Sequence, residues 1–425
     1  QVAWTMARGY PGAFGRRASA LYIWLPLCVL FIAPFVDWRR PLRLLHLDLL
    51  VLLSFSVSLA FFSNGQIGES VPLAYPPLVY LFVRMLFAAR RKGADRREPL
   101  RLLVPASWLL IGLIFLVGFR GALNITNSNV IDVGYSGVIG ADRLTHGKQL
   151  WGNFPRDNQH GDTYGPVNYY AYVPFEQVWP WSGRWDDLPA AHAAAFVFDL
   201  LTMLGLWLLG RRIRGPTVGL VMAYAWAAFP FTLFVSNSNS NDSLVAMLLV
   251  GALLVAASPP ARGALVALAG LTKFAPLALA PVFATYTSVS AGEGARSRAR
   301  SIALYTAGFV AAAALAMAPV LIGGDLRAFF DHTLRFQQER GSPFSIWGLR
   351  SGLDWLQTAV QVAAVAFAFA AAVIPRRRDV VGLAALGAAV LIALQLGVTH
   401  WFYLYIVWFL PLVLVALFGR YREPA

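Results

Sequence analysis

The sequence predicts an all-α membrane protein that crosses the bilayer many times. Of its 425 residues, 58% are hydrophobic and only 13% are charged, whereas soluble domains carry about 25% charged residues. The apolar residues form runs close to the roughly 20 residues that a helix needs to cross the hydrocarbon core. Short clusters of arginine separate these runs, as is typical of cytoplasmic loops. These observations together predict an all-α polytopic membrane fold.

Eleven runs are predicted to span the membrane. They are residues 20–36, 45–62, 71–89, 101–119, 190–210, 216–236, 243–258, 301–322, 355–374, 381–398 and 401–418. The first run can also serve as an anchor, so no cleavable signal peptide is required. The chain begins at Gln1 and not at Met, which leaves room for residues upstream.

The basic clusters predict the orientation of the chain. Placing them in the cytoplasm puts two long loops, residues 120–189 and 323–354, on the outer side, together with the turns at 237–242 and 399–400. The same clusters account for the net charge of +14, so nucleic-acid binding is not predicted. The clusters are Arg39, Arg40 and Arg43, residues 90–101, Arg211, Arg212 and Arg214, Arg296, Arg298 and Arg300, residues 376–378, and Arg420 and Arg422.

Residues 262–287 do not fit this alternation. They form one apolar run, yet Arg262 and the cluster at residues 296–300 both belong in the cytoplasm by charge. The run also carries Lys273 and Pro276 near its middle, and broken helices are tolerated where they are buried in protein or line a wet cavity. We therefore expect a re-entrant pair of half-helices; the alternative is an ordinary span that departs from the charge rule.

The first outer loop is too long and too aromatic to be a simple connection, because loops longer than about 12–15 residues are usually functional or disordered. Asp132 follows the fourth span and opens a pattern typical of an amphipathic helix on the membrane surface. An acid at this place can act as a general base if burial raises its pKa, or it can cap the helix. The loop carries seven carboxylates: Asp132, Asp142, Asp157, Asp162, Glu176, Asp186 and Asp187.

A tyrosine-rich segment, residues 161–174, lies in the same loop. Aromatic rings stack on sugars and also anchor proteins at membrane interfaces, so both interpretations stay open. The candidate acceptor- or sugar-binding residues are Tyr135, Tyr164, Tyr169, Tyr170 and Glu176.

Basic residues outside the cytoplasmic clusters are candidates for holding a phosphate. Arginines of the second outer loop match phosphate oxygens, although pairing with Asp331, Glu339 or lipid headgroups is an equal alternative. Lys273 is an ionisable residue at membrane depth, which indicates function by default. His400 lies at the outer interface, where a structural role is the alternative. The candidates are Lys273, Arg335, Arg340 and His400.

The sequence lacks the patterns typical of several other kinds of site. It contains no Cys/His cluster, no HExxH and no P-loop pattern. We assign no cofactor and no metal ligand, and the participation of a divalent metal stays an open alternative. Cys28 is the only cysteine, so no intrachain disulfide forms. Asn241-Asp242-Ser243 fits the N-glycosylation sequon, which means nothing if the source is bacterial.

The loop motifs resemble those of a known family. An acid soon after a span, then YxxVIGADRLTHGKQLW and YGPVNYYAYVPF, is similar to the first outer loop of GT-C-type glycosyltransferases. The resemblance is to glycosyltransferase family 87 in particular, the bacterial polyprenol-phosphate-mannose-dependent α-mannosyltransferases. The segments GLTKFAPLALAPVF and HTLRFQQERGSPFSIWG also resemble that family, and the likeness covers about residues 101–418.

This resemblance implies a GT-C-like catalytic core, residues 101–425, with residues 1–100 as a three-span extension. It implies inverting transfer of a sugar, with mannose expected, from a polyprenyl-phosphate donor to a lipid or glycan acceptor at the outer face of the bacterial plasma membrane. Asp132 then corresponds to the catalytic base, and Lys273, Arg340 and His400 to the residues that hold the donor phosphate. Donor, acceptor and membrane lipids are the expected partners.

Two other functions also fit a membrane protein of this composition. A transporter or flippase predicts ionisable residues within spans and repeated halves, but few such residues, among them Arg84, Asp199 and Lys273, lie in or beside apolar segments and no repeat is evident. An O-antigen ligase or polymerase shares the lipid-linked substrate, and the basic second outer loop keeps this alternative open.

Overall fold

A computed structural model describes residues 17–90, 98–286, 295–324, 326–373, 377 and 379–423, with side chains from residue 22 onward. Within these ranges the regular elements are helices, so the predicted all-α fold is confirmed. The first ten α-helices are α1 (Arg17–Ile32), α2 (Leu44–Ser63), α3 (Ile67–Arg90), α4 (Ala106–Thr126), α5 (Asp132–Thr145), α6 (Pro166–Tyr170), α7 (Val173–Glu176), α8 (Pro189–Arg214), α9 (Pro216–Ala228) and α10 (Pro230–Asn237).

The second half of the chain is built in the same way. Its α-helices are α11 (Asp242–Leu254), α12 (Pro259–Gly270), α13 (Ala280–Ala284), α14 (Ala295–Ile322), α15 (Leu326–Phe330), α16 (Phe336–Glu339), α17 (Ile346–Leu349), α18 (Asp354–Val373), α19 (Val380–Gly397) and α20 (Ile406–Phe418). Short 3₁₀ turns lie at Ala33–Phe35, Arg156–Asn158, Ala275–Leu279 and Tyr403–Tyr405, and a π-helical turn lies at Asp331–Arg335.

Seven of the described helices are long and apolar enough to cross a membrane, namely α2, α3, α4, α8, α14, α18 and α19. A further candidate is the pair α9 and α10, which is bent by 60°. The bend follows from Pro230, because a proline forces the residue before it, here Phe229, out of the helical conformation. The predicted runs 20–36, 243–258 and 401–418 correspond to shorter apolar helices. The multi-pass architecture therefore holds, while the count of eleven spans is not confirmed.

Several arginine clusters meet at one end of the bundle. The guanidinium of Arg43 lies 5.0 Å from the ring centroid of Tyr421, and that of Arg420 lies 5.2 Å from the same ring. Arg214 donates a hydrogen bond of 2.6 Å to the carbonyl of Gly419. We call this part of the molecule the arginine end. It has the arrangement that the charge rule predicts, with basic residues gathered on one side.

Residues 262–286, which we call the folded-back segment, form two short helical halves, whereas their re-entrant course in a membrane stays a prediction. Arg262 donates a 3.0 Å hydrogen bond to the carbonyl of Tyr286, and its guanidinium lies 5.2 Å from the ring centroid of Tyr286. The two ends of the segment therefore lie side by side, and Lys273 lies in the break between the halves. Residue 287 lies outside the described residues.

The N-terminal helices pack directly on the rest of the molecule and share its hydrophobic core. The Tyr403 hydroxyl, just before α20, lies 2.7 Å from the hydroxyls of Ser58 in α2 and Ser70 in α3. Within this region Arg84 donates to both oxygens of Asp48, at 2.8 and 3.0 Å. Residues 22–90 therefore pack against the rest of the chain, and their assignment as a three-span extension stays a prediction.

A buried ion pair joins α4 and α8. Arg120 and Asp199 are 1% and 0% exposed, and their closest nitrogen and oxygen lie 2.9 Å apart. Trp226 donates to the second oxygen of Asp199 at 2.7 Å, and Arg120 also donates to Ala227 O and Thr232 Oγ1. Asp199 therefore has a structural partner at every oxygen, so its place within an apolar helix does not indicate a transport pathway.

Replacing Asp199 with Ala is expected to destabilise the fold, because it leaves the Arg120 charge buried without its partner. Breaking such a pair costs about 3–5 kcal/mol. Thermal unfolding of the purified protein in detergent measures the effect. Asp186→Ala is the matched control, since Asp186 pairs with Arg184 at the surface, 4.0 Å away. Equal melting temperatures for the two variants would contradict the role given to Asp199.

Candidate active site

A cavity brings together residues that lie far apart in the sequence. Its lining includes two carboxylates, two cations and a histidine. Asp132 is the first residue of α5, Asp242 is the first residue of α11, and Lys273 lies in the folded-back segment. Arg340 follows α16 and His400 precedes α20. The other lining residues are Phe62, Ile131, Val133, Tyr164, Phe344, Phe402, Leu404 and Tyr405.

Close backbone packing holds Asp132 at the cavity. The residue before it, Ile131, is extended and donates a 3.1 Å backbone hydrogen bond to Ser238. At Gly134, an added Cβ would lie 2.1 Å from the carbonyl of Asn239, so no side chain fits between α5 and that carbonyl. Ile131 occupies the N-cap position. Asp132 lies in the first turn, where the helix dipole favours a carboxylate, and is not the capping residue.

The surroundings of Asp132 suit a proton acceptor. Its side chain is partly exposed to the cavity. Burial raises the pKa of the Asp132 carboxyl above its usual range, while the backbone N–H of Val133 and the charges of Arg340 and Lys273 act in the opposite direction. The carboxylate therefore faces two cations in the same cavity and binds a proton more readily than it does in water.

Asp242 is the second carboxylate, and it is fully buried. Lys273 Nζ lies 2.5 Å from its Oδ1, and Trp408 Nε1 donates to the same oxygen at 2.7 Å. Ser240 Oγ donates to Oδ2 at 2.9 Å. Because these donors hold both oxygens, Asp242 anchors its neighbours and leaves Asp132 as the carboxylate that can accept a proton.

Sequence reasoning missed Asp242, which it noted only as part of a sequon in an outer turn. Residues 236–243, which we call the polar segment, are at most 3% exposed. Asn239 has a positive φ of 49° and accepts from Asn124 at 2.7 Å, and Asn241 donates to Asn168 at 2.6 Å. A run of serine and asparagine between apolar helices, ending in an acid, is the signal that could have found this residue.

Aromatic rings surround the ammonium group of Lys273. Its Nζ lies 5.4 Å from the ring centroid of Tyr164, 5.7 Å from that of Tyr405 and 5.2 Å from that of Trp408. Such rings stabilise a cation through their negative faces. Together with Asp242 they explain how a lysine that is only 7% exposed stays in place.

The tip of the folded-back segment is held by the tyrosine-rich part of the first outer loop. Val167 donates a 3.1 Å backbone hydrogen bond to Leu271. At Gly165, an added Cβ would lie 2.0 Å from the same carbonyl, so this close approach requires glycine. The YGPVNYY motif therefore positions Lys273 through the backbone.

Arg340 and His400 come from the last third of the chain. The guanidinium of Arg340 lies 6.0 Å from the ring centroid of Phe336, and the Ser342 hydroxyl lies 2.8 Å from His400 Nδ1. Burial lowers the pKa of His400 to about 3, with further contributions from Arg340 and Lys273. His400 is therefore neutral at neutral pH, and it offers a hydrogen bond to a ligand but no positive charge.

Arg335 does not reach the cavity. It lies on the surface, where it pairs with Glu339 at 2.8 Å and with Asp331 at 3.7 Å. These are the partners that the alternative interpretation named. Its position gives no support to a role in holding phosphate.

Of the candidate acceptor-binding residues, only Tyr164 lines the cavity. The others make contacts within the protein, because they pack the first outer loop: Tyr135 with Asp157, Tyr169 with Gly161, Tyr170 with Ala316, and Glu176 with Gln177 and Trp181. Among the described residues, no three His, Cys, Asp or Glu side chains come together as a metal site would require.

One side of the cavity is aromatic. Phe62, Phe344 and Phe402, which we call the aromatic wall, have ring centroids 5.4 to 6.0 Å apart. Phe344 also packs on His400, 5.5 Å away. The cavity therefore joins a charged region to an apolar one, and Phe62 brings α2 into its lining.

Comparison with known proteins identifies the family of the chain. The model of glycosyltransferase family 87 matches residues 163–401, which is more than half of the chain. A search of curated proteins gave no match. The matched region contains Lys273, Arg340 and His400, and it begins after Asp132. The chain belongs to glycosyltransferase family 87.

Proposed function

We propose that this protein is an inverting membrane glycosyltransferase that uses a polyprenyl-phosphate sugar. Mannose is the sugar that the family resemblance implies, and the acceptor is a hydroxyl of a lipid or glycan. The observation that carries the proposal is the cavity, in which Asp132 faces Lys273 and Arg340. A proton acceptor opposite two cations is what transfer from a sugar phosphate requires.

The proposed reaction is a single displacement. The acceptor oxygen attacks the anomeric carbon of the sugar and forms the new glycosidic bond, while Asp132 takes the hydroxyl proton. The bond between the anomeric carbon and the phosphate oxygen breaks, and the phosphate leaves with the electron pair. Lys273 and Arg340 stabilise the charge that develops on the phosphate, and attack from the opposite side inverts the configuration.

The apolar part of the cavity supports a lipid-linked donor. The aromatic wall lies beside His400, so a hydrocarbon chain attached to a bound phosphate would leave the charged region along Phe62, Phe344 and Phe402. Burying such a chain stabilises the complex by about 25 cal/mol per Å² of apolar surface removed from water.

We further propose that the cavity works at the outer face of the bacterial plasma membrane. Helix α8 ends with Arg214 at the arginine end, whereas its first residue, Pro189, follows the loop that carries Asp132. If the arginine end is cytoplasmic, as the charge rule predicts, the loop that carries Asp132 lies on the outer side.

Asp132→Asn is expected to reduce transfer by about 10²- to 10⁴-fold, because general-base catalysis contributes that much. The measurement uses purified protein, radiolabelled polyprenyl-phosphate-mannose and a membrane lipid extract, and follows label in new glycolipid. Asp142→Asn is the control, since Asp142 lies in the same helix and pairs with His146 and Lys148. Near-normal turnover by Asp132→Asn would exclude Asp132 as the base. If the unmodified protein forms no labelled product, the proposed donor is wrong.

Removing the charge of Lys273 is expected to weaken donor binding and slow transfer at least tenfold. Because Lys273→Met alone leaves Asp242 buried without its partner, the test combines Lys273→Met with Asp242→Asn. Arg335→Met, a change at the surface, should behave like the unmodified protein. Steady-state kinetics with varied donor concentration measures both. Equal donor KM and kcat for all three proteins would show that Lys273 does not act on the donor.

The pH dependence of transfer should reflect Asp132 and not His400. The base must be ionised, so the rate falls as pH decreases through the pKa of Asp132, which burial raises above the usual 3.8. His400, with a pKa of about 3, stays neutral over that range. The acidic limb of the profile of kcat/KM should therefore persist in His400→Gln. A limb that disappears in this variant would assign the titration to the histidine.

A further inference from the structure

A second, apolar cleft lies between α4, α8 and α9, on residues that do not line the candidate active site. Leu110 and Leu113 line it from α4, Leu204 and Trp207 from α8, and Leu220 from α9. Leu110 and Leu204 are 49% and 48% exposed, so the cleft opens at the surface of the helix bundle.

The cleft exists because α4 and α8 diverge. They touch near the outer loops, where an added Cβ at Gly121 would lie 3.3 Å from the ring of Phe196. Nearer the arginine end, α8 stays close to α9, since an added Cβ at Gly210 would lie 2.6 Å from the Cα of Gly219. Helix α9 thus forms the floor. In a bilayer such an opening between apolar helices is filled by hydrocarbon, because water has no polar partners there.

A cation lies at the open end of this cleft. Arg211 is exposed, and its guanidinium lies 5.3 Å from the ring centroid of Trp207, a lining residue. A guanidinium above a ring still presents N–H groups at its edge, in a geometry that matches two phosphate oxygens.

The other charged groups nearby are directed elsewhere. Arg212 donates to the carbonyl of Leu254 at 2.8 Å, and Arg214 donates to that of Gly419. The carboxylate of Glu423 accepts a 2.8 Å hydrogen bond from the backbone of Thr217 at the start of α9. Glu423 therefore contacts the lining residue Thr217, but the backbone of α9 holds its Oε1; among the described residues, Arg211 is a cation that contacts the lining, through Trp207.

We propose that this cleft is a binding site for an anionic phospholipid. One acyl chain lies between α4 and α8 on the floor of α9, and the headgroup phosphate pairs with Arg211. The site takes its ligand in the leaflet at the arginine end and is independent of the proposed transfer reaction. Its occupant fills the gap between two helices that lead directly into the first outer loop.

Native mass spectrometry of the full chain tests the site. The protein is released from nanodiscs that contain equal amounts of phosphatidylglycerol and phosphatidylethanolamine with the same acyl chains. We expect preferential retention of phosphatidylglycerol. One basic residue at an anionic surface contributes about 1 kcal/mol, so Arg211→Gln should reduce that preference about fivefold. Arg327→Gln is the matched control, because Arg327 is an exposed arginine of the second outer loop.

A second variant tests the acyl position. Leu204→Trp fills the cleft and should reduce retention of both lipids, with an unchanged melting temperature because Leu204 is half exposed. Equal retention of the two lipids by the unmodified protein, or an unchanged preference in Arg211→Gln, would overturn the proposal. Displacement of phosphatidylglycerol by an equimolar polyprenyl phosphate would also overturn it and assign the cleft to an isoprenoid chain.

Discussion

The ion pair between Lys273 and Asp242 is the constraint on which the rest of the site depends. Neither charge is stable alone inside a bundle of apolar helices, because desolvation of an unpaired charge costs several kcal/mol. The two residues come from the break of the folded-back segment and from the end of the polar segment. Their pairing fixes both segments at one point. The cavity, the aromatic rings around Lys273 and the position of α5 all follow from that contact.

Much of the fold could be predicted because its causes are local in the sequence. The long apolar runs had to become helices, since a bilayer leaves backbone groups no other partners. Arg262 and the cluster at 296–300 required the chain to return to the same side, and the structure joins Arg262 to Tyr286 accordingly. Asp132 was singled out because it follows a span and begins a helical pattern; the structure places it in the cavity lining, but residues 133–141 of α5 are buried and do not lie on a membrane surface. The count of eleven spans is not confirmed, because some of the predicted runs form helices shorter than a span and the run at 216–236 is bent at Pro230.

Several features of the site could not be predicted because they depend on contacts between distant segments. Asp242 looked like one residue of a polar turn until Trp408 and Lys273 were placed around it. His400 was expected to help bind phosphate, and only its burial beside two cations shows that it is neutral. Tyr135, Tyr164 and Tyr169 look alike in the sequence, because all three are tyrosines of the first outer loop. The rings of Tyr135 and Tyr169 nevertheless pack inside that loop. Sequence identifies residue types, whereas side-chain direction comes from tertiary packing.

Phe62 shows that the helices before the matched region contribute to the cavity. The family match starts at residue 163, but the aromatic wall includes a ring from α2, and Tyr403 is tied to Ser58 and Ser70. A fragment that contained only the matched residues would lack Phe62, one of the three rings of the aromatic wall. The first helices are therefore part of the wall of this cavity. A change in α2 can thus reshape the aromatic side of the cavity from outside the matched region, while the charged residues of the lining stay the same.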